Sequence, residues 1–170
     1  MPNLFWITGL SGSGKTTFAK KLIQKLNATS RKAVLLDGDT MREIFNNTSD
    51  YKRETRLKTA YQYSKLANFL LKNDIDVVYS TISLFHEVQA WNRKNISGYI
   101  EIFVKVEMKE LIKRDSKKIY SQAINGNLKD VIGVDIAAEF PKNPDLILDN
   151  ISENDLENYV EKVLEMRSLK

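Results

Sequence analysis

The sequence predicts an α/β fold in which a five-stranded parallel sheet carries helices on both faces. Three observations support this fold class. A glycine-rich motif near the amino terminus stands between a strand-like run and a helix-like run. Short runs of β-branched and aromatic residues alternate with segments of helical periodicity along the rest of the chain, and this alternation is typical of a covered parallel sheet. The length of 170 residues suits a single domain.

The first strand and the first helix flank the glycine-rich motif. Residues 3–10 (NLFWITGL) form an apolar run typical of a buried strand. Residues 9–16 (GLSGSGKT) match the whole pattern G-x-x-x-x-G-K-[ST], and residues 16–26 have apolar side chains at helical spacing. Because a strand, a glycine loop and a helix follow one another, the segment is predicted to bind the phosphates of a nucleoside triphosphate. The alternative, a glycine-rich turn with an ordinary exposed lysine, is disfavoured by these flanks.

Each residue type in this phosphate loop (residues 9–16) suits the chemistry. Gly12 and Gly14 allow a tight backbone turn whose N–H groups point at phosphate oxygens, and the helix that follows adds a partial positive charge. Lys15 is expected to reach the outer phosphates, and the Thr16 hydroxyl is expected to bind Mg²⁺. The predicted ATP-binding residues here are Gly9, Ser11, Gly12, Ser13, Gly14, Lys15, Thr16 and Thr17.

Two carboxylates follow the second predicted strand. Residues 32–36 (KAVLL) lead into Asp37, Gly38 and Asp39. In open α/β sheets, ligands bind at the carboxyl ends of the strands, so both acids are predicted to face the phosphate loop. The alternative is a plain turn, because Asp and Gly are common turn formers. Periodicity also predicts the other elements. The strands are at 75–82, 99–106 and 145–148, and the helices are at 40–46, 53–72, 85–96 and 109–123. A last helix is predicted to bury Leu156, Val160, Val163 and Leu164.

Composition narrows the partners. Lys and Arg number 26 against 22 acids, a net charge of +4 that suits anionic small molecules and gives no nucleic-acid footprint. The absence of cysteine excludes disulfides and thiolate chemistry. Without a leader or a membrane-length apolar run, the chain is expected to be cytoplasmic and to have no membrane partner. The irregular segment from about 114 to 140 is predicted to be a lid.

The phosphate loop alone leaves three classes open. A GTPase needs an N-K-x-D motif, which the chain lacks. Motor and transport ATPases usually end the strand beside the loop in an acid, whereas the strand predicted at 75–82 ends around Ser80, Thr81 and Ser83 without a carboxylate. Acids on the second strand together with a basic lid favour a small-molecule kinase, which aligns two anionic substrates and excludes water.

The chain resembles the adenylylsulfate (APS) kinases along most of its length. The resemblance rests on an ordered set of segments: GLSGSGKTT at 9–17, LLDGDTMR at 35–42, STIS at 80–83, RDSKKIY at 114–120, GVD at 133–135 and PKNPDLILD at 141–149. It implies a single-domain P-loop kinase, commonly a homodimer, that moves the γ-phosphoryl of ATP to the 3′-hydroxyl of a nucleotide ribose.

The resemblance also implies individual roles. Asp39 would be the general base or metal-orienting acid near the acceptor hydroxyl, with Thr16 as the other metal ligand. Arg42 would contact the phosphates of the acceptor. Arg114 and Lys117 would be cations of the lid, with Arg114 on the ATP side. Lys117 would neutralise the transferring group and so join Asp39 and Lys15 as a catalytic residue.

Three departures from the family concern the acceptor. The family motif D-R-x-E-N-x-R-R reads KRETRLK at 52–58, which keeps Arg53 but has Arg56 where the family has asparagine. The loop before it lacks the family's L-G-F segment and its phenylalanine. The motif F-T-G-I-D reads VIGVD at 131–135, so Val131 replaces the second phenylalanine. In the family these two rings sandwich the adenine, and each stacked ring is worth roughly 1–3 kcal/mol.

The acceptor is therefore predicted to differ from adenylylsulfate. The pattern looks like that of APS-kinase-like enzymes of bacterial capsule phosphoramidate pathways, which phosphorylate cytidine 5′-diphosphoramidate on its 3′-hydroxyl. Arg56 would then hold a diphosphate-like group. An adenylylsulfate kinase with a remodelled pocket and a catalytically silent nucleotide-binding protein remain alternatives. The predicted acceptor-binding residues are Asp37, Asp39, Arg42, Arg53, Arg56, Ile82, Ser83, Lys117, Val131 and Ile132.

Overall fold

The computed structural model describes residues 1–29, 31–46, 51–115, 117–149 and 152–169. The strands are β1 (Leu4–Thr8), β2 (Ala33–Asp37), β3 (Asp76–Thr81), β4 (Tyr99–Lys105) and β5 (Leu146–Asp149). The helices are α1 (Lys15–Asn27), α2 (Gly38–Ile44), α3 (Arg53–Leu71), α4 (His86–Asn95), α5 (Met108–Arg114), α6 (Ile119–Ile124) and α7 (Glu153–Leu169). No described helix is long and apolar enough to cross a membrane.

The five strands form one parallel sheet in the order β2-β3-β1-β4-β5. All five residues of central strand β1 are buried, as expected for a strand with helices on both sides. The fold class predicted from the sequence is thus confirmed. Because every strand runs the same way, the carboxyl ends of β1, β2 and β3 meet at one edge of the sheet, where Asp37 pairs in register with Ser80.

Alternate residues of β1 serve two separate cores. Leu4 and Trp6 face the side covered by α3 and α4, where the Trp6 ring stacks on Tyr79 with centroids 4.8 Å apart. Phe5 and Ile7 face α1 and α7. Of the residues that the sequence predicted to be apolar contacts of the last helix, Val160 and Val163 are fully buried, and Leu156 and Leu164 pack partly buried beside them.

The single helix predicted over residues 109–123 is wrong. The chain forms α5, breaks, and then starts the separate helix α6. The break has a local cause: the Asp115 carboxylate accepts hydrogen bonds from the backbone N–H groups of Tyr120 (3.1 Å) and Ser121 (2.8 Å). Lys118 adopts a left-handed backbone conformation with φ 53°. Short acidic side chains compete in this way with helical backbone bonding, which hydrophobic periodicity does not reveal.

The second half of the predicted lid is irregular, as expected. Between α6 and β5 the only described pairing is an isolated bridge from Ile132 to Ile136. Asp135 holds this turn together, because its carboxylate accepts hydrogen bonds from the N–H groups of Asp130 (2.6 Å) and Val131 (2.5 Å).

Candidate active site

The phosphate loop joins β1 to α1 at the shared edge of the sheet. Gly9 passes so close to β4 that a Cβ there would lie 2.5 Å from the carbonyl oxygen of Val104. Gly14, directly before α1, has φ 98°, which is strained for any residue with a side chain. Glycine is therefore required at both positions by geometry, the first by a close approach and the second by backbone conformation.

Lys15 lies folded back over the phosphate loop. The residue is only 7% exposed, and its Nζ donates a hydrogen bond to the Leu10 carbonyl oxygen at 2.6 Å. Burial, and then the nearby charge of Lys117, lower the pKa of Lys15 to about 7, while Asp37 acts in the opposite direction. An ammonium group kept so far from water gains most from an anion placed beside it.

Thr16 meets side chains from two neighbouring strands. Its hydroxyl donates to Asp37 Oδ2 at 3.0 Å and lies 3.3 Å from the Ser80 hydroxyl. These hard oxygen donors suit Mg²⁺, which usually takes one or two protein oxygens together with substrate phosphates and water. No cluster of three or more His, Cys, Asp or Glu side chains that could hold a metal ion occurs among the described residues. The carboxylate beside Thr16 is that of Asp37, whereas the sequence paired Thr16 with Asp39.

Asp39 lies in the first turn of α2 between two cations. Its Oδ2 accepts a hydrogen bond from Lys117 at 2.7 Å, and its Oδ1 pairs with Arg42 one turn along the same helix. The N–H of Asp39 in turn donates to Asp37 at 3.0 Å, which caps α2. The contact between Lys117 and Asp39 therefore joins the predicted lid to the carboxyl edge of the sheet.

These groups surround one cleft of about 630 Å³, within the size range of ligand sites. Most predicted site residues line it: Ser11, Gly12, Gly14, Lys15, Thr16, Thr17, Asp37, Asp39, Arg42, Arg56, Ile82, Lys117, Val131 and Ile132. A side pocket of about 50 Å³ continues from it and reaches Ser83. The side pocket shares Arg42, Arg56, Ile82 and Ile132 with the cleft.

Arg56 approaches the cleft from α3. Its guanidinium donates to the carbonyl oxygens of Tyr51 (2.6 Å) and Asp130 (2.9 Å) and lies 5.0 Å from the centre of the Tyr51 ring. Burial, followed by the charge of Arg42, lowers the pKa of Arg56 from its ordinary value. The positive charges of Arg42 and Arg56 repel each other, and the described hydrogen-bond partners of Arg56 are neutral carbonyl oxygens. This part of the cleft is therefore suited to bind an anionic group.

Comparison with known proteins agrees with this geometry. The profile of the family described as adenylylsulphate kinase matches residues 1–149. The chain belongs to this family. A cytidine diphosphoramidate kinase of Campylobacter jejuni subsp. jejuni is 39% identical to this kinase over 168 residues, which cover 99% of this chain and 98% of that protein. A probable adenylyl-sulfate kinase of Pyrococcus abyssi is 34% identical over 145 residues, 85% and 83% of the two chains.

Solved structures give the same result for this APS-family kinase. The structure of the Mycobacterium tuberculosis APS kinase CysC in complex with AMPPNP and APS has a TM-score of 0.87 and 28% identity, and the match covers 96% of each chain. The chain is accordingly a phosphotransferase, as the sequence predicted.

Four predicted site residues of the kinase line neither the cleft nor the side pocket. Arg53 pairs with Glu139 at 2.9 Å and Glu87 at 3.5 Å. Arg114 pairs with Glu110 at 3.0 Å, one turn back on α5. Gly9 and Ser13 are absent from the lining because they shape the loop from behind, where Ser13 is buried.

Sequence reasoning missed several residues that do line the cleft. The clearest is Tyr51, whose ring lies beside both Arg42 and Arg56 at the junction of cleft and side pocket. An aromatic residue just before the long helix, in the stretch where the family's phenylalanine is missing, was the signal that could have identified it. The others are Gly38, Ser80, Thr81, Ile119, Leu128, Lys129 and Asp130.

Proposed function

We propose that this kinase transfers the γ-phosphoryl group of ATP to the ribose 3′-hydroxyl of a nucleotide that carries a 5′-diphosphate-like group. Cytidine 5′-diphosphoramidate is the foremost candidate acceptor. The observation that supports the proposal most directly is that Lys15, Asp39 and Arg56 line a single cleft. A triphosphate held by the loop, an acid for the hydroxyl and a cation for the acceptor's phosphates would then lie in one cleft.

Each group has a role in the transfer. The phosphate loop and Lys15 hold the triphosphate, and Asp39 orients the acceptor hydroxyl and takes its proton. A bond forms between the 3′-oxygen and the γ-phosphorus while the bond from that phosphorus to the β,γ-bridging oxygen breaks, which releases ADP. Lys117 moves from Asp39 to the transferring group and offsets its charge. When bound, Mg²⁺ would neutralise part of the phosphate charge. The Thr16 hydroxyl and the Asp37 carboxylate would hold it, whereas the sequence predicted Asp39 as the acidic ligand.

The acceptor side supports a small base and an anionic tail. Val131 lines the cleft where the family has a phenylalanine, so less stacking surface is available for a purine. Arg42 and Arg56 offer two guanidinium groups for a diphosphate-like group. The 39% identity with the Campylobacter jejuni enzyme over nearly the whole chain points the same way.

Two alternatives make different predictions. An adenylylsulfate kinase is supported by the Pyrococcus abyssi relative and would use Tyr51 to stack on adenine. A silent nucleotide-binding protein is disfavoured because Lys15, Thr16, Asp39 and Lys117 all line the same cleft.

We further propose that residues 114–140 close as a lid within this single domain and that the kinase acts in the cytoplasm. We also propose that it is a homodimer, and light scattering of the purified protein would test this oligomeric state.

A panel of acceptors decides among these readings. The purified kinase is incubated with ATP, Mg²⁺ and either cytidine 5′-diphosphoramidate, adenylylsulfate, CDP or ADP, and the 3′-phosphorylated product is identified by mass spectrometry. We expect the highest kcat/KM with cytidine 5′-diphosphoramidate. Turnover of adenylylsulfate alone would establish the first alternative, and no turnover of any acceptor, despite ATP binding, would establish the second.

ATP binding should take up a proton above neutral pH. Free Lys15, with its pKa at about 7, is mostly neutral at pH 8. The phosphates favour its charged form and raise the pKa, so uptake should approach about one proton per ATP at pH 8 and be smaller near pH 6.5. The affinity for ATP should therefore fall as the pH rises above 7.

Calorimetric titrations in two buffers of different ionisation enthalpy measure this uptake. Lys15→Arg is the matched control, because its guanidinium stays protonated throughout this range and should take up no proton. Equal heats in both buffers for the wild-type protein at pH 8 would contradict the prediction.

A further inference from the structure

Tyr120 connects the lid to the phosphate loop. The residue is only 2% exposed, and its hydroxyl donates a hydrogen bond to the Ser11 carbonyl oxygen at 2.8 Å, across 109 residues of sequence. Burial, and then the charge of Asp115, raise the pKa of Tyr120 to about 12, so the hydroxyl is a permanent donor at physiological pH. We propose that Tyr120 is a positioning residue that holds the Gly12 N–H in the orientation needed to bind a phosphate.

Peptide planarity supplies the reason. The Ser11 carbonyl and the Gly12 N–H belong to one peptide unit and point in opposite directions. Gly12 has φ 75° and lines the cleft, whereas Tyr120 lies in the core that contains Leu10 and Leu111. A carbonyl held toward that core therefore aims the N–H of the same peptide at the cleft. A glycine-rich loop would otherwise rotate this peptide at little cost.

Tyr120 is itself firmly held. Asp115 accepts from the N–H groups of Tyr120 and Ser121 and so sets the start of α6. Leu111 of α5 approaches the loop as well, because a Cβ on Gly12 would lie 3.9 Å from its Cδ2 atom. The break between α5 and α6 therefore places Tyr120 beside the phosphate loop. In a continuous helix, Asp115 would not accept the N–H groups of Tyr120 and Ser121, and Tyr120 would have a different position.

The two carbonyl contacts of the loop differ in permanence. Lys15 donates to the Leu10 carbonyl, but it must leave that oxygen when its ammonium turns to the phosphates. Tyr120 has no such second duty. If Tyr120 keeps its place against the loop while the rest of the lid closes, its hydrogen bond remains in both the free and the ATP-bound state, and the Gly12 peptide is oriented before the ligand arrives.

This inference rests on the proposed ATP site, and Tyr120→Phe tests it, because it removes the hydroxyl and keeps the buried ring. We expect the Kd for ATP and for ADP, measured by calorimetry, to rise roughly fivefold, as the loss of one hydrogen bond predicts. KM for ATP should rise in parallel, with KM for the acceptor unchanged. Tyr159→Phe on α7, a ring that lines neither cavity, is the control and should leave all four values unchanged.

A second measurement separates orientation from folding. Hydrogen exchange of the peptide containing Gly12 should be faster in the ATP complex of Tyr120→Phe than in that of the wild type, while the melting temperature without ligand stays close to the wild-type value. If the wild-type protein binds ATP and the Kd of Tyr120→Phe lies within about twofold of the wild-type Kd, the inference is overturned and the proposed function stays intact. Failure of the wild-type protein to bind either nucleotide would overturn both.

Discussion

Replacing Asp39 by asparagine should lower kcat by at least about 100-fold, the usual scale for a lost acid–base group. The amide keeps the shape of the side chain and removes the charge that receives the acceptor proton. ATP binding should be as tight as in the wild type or tighter, because Lys117, now paired with Asp39 at 2.7 Å, becomes free to approach the phosphates. Steady-state release of ADP measures the first effect, and calorimetry with ATP the second.

Glu43→Gln is the matched control for this substitution. Glu43 lies exposed on the same short helix but outside the residues that line the cleft, and the change removes the same charge. We expect its kcat to equal that of the wild type. Undiminished turnover in Asp39→Asn would remove Asp39 from the mechanism, and with it the proposed site of attack.

Arg56→Asn should raise KM for the acceptor by about 30-fold and leave KM for ATP unchanged. The substitution restores the residue expected from the family motif and deletes one of the two guanidinium groups proposed to hold the diphosphate-like group. Hydrogen bonds between charged partners contribute about 1.5–3 kcal/mol, which corresponds to this range of affinity. Initial rates over a series of acceptor concentrations at saturating ATP measure the effect.

Two further variants make the Arg56 result specific. Lys58→Asn removes an exposed positive charge from the same helix and should have no effect on either KM. Arg53→Asn tests the other predicted acceptor contact, and its pairing with Glu139 and Glu87 predicts a much smaller rise than that of Arg56→Asn. An equal loss in Lys58→Asn would show a general effect of charge instead of a contact.

Much of the fold could be predicted because its signals are local. Buried parallel strands are continuous apolar runs, and helices on a sheet repeat their apolar residues at helical spacing. The same reasoning failed between α5 and α6, where Asp115 satisfies two backbone N–H groups and ends the helix. A side-chain hydrogen bond to the backbone leaves no mark in the hydrophobic pattern.

The candidate site was predictable in part for a similar reason. The phosphate loop is contiguous in sequence, so the roles of Lys15 and Thr16 could be predicted from the motif and its flanking strand and helix. The choice of Asp37 over Asp39 as the partner of Thr16 could not be predicted, because both acids follow the same strand and only the turn into α2 decides which of them lies beside Thr16. Tyr51 was missed because its position near Arg42 and Arg56 arises from the packing of a loop against two helices.

The sequence by itself determined that a parallel sheet carries a phosphate loop with acids at a neighbouring strand end, since each of these features is written in consecutive residues. Only the tertiary structure decided that Asp37 meets Thr16, that Lys117 reaches Asp39 and that Tyr120 supports the loop at Ser11. These contacts join residues that are 21, 78 and 109 positions apart. Their geometry depends on strand order and on the turn between α5 and α6, which no local pattern specifies.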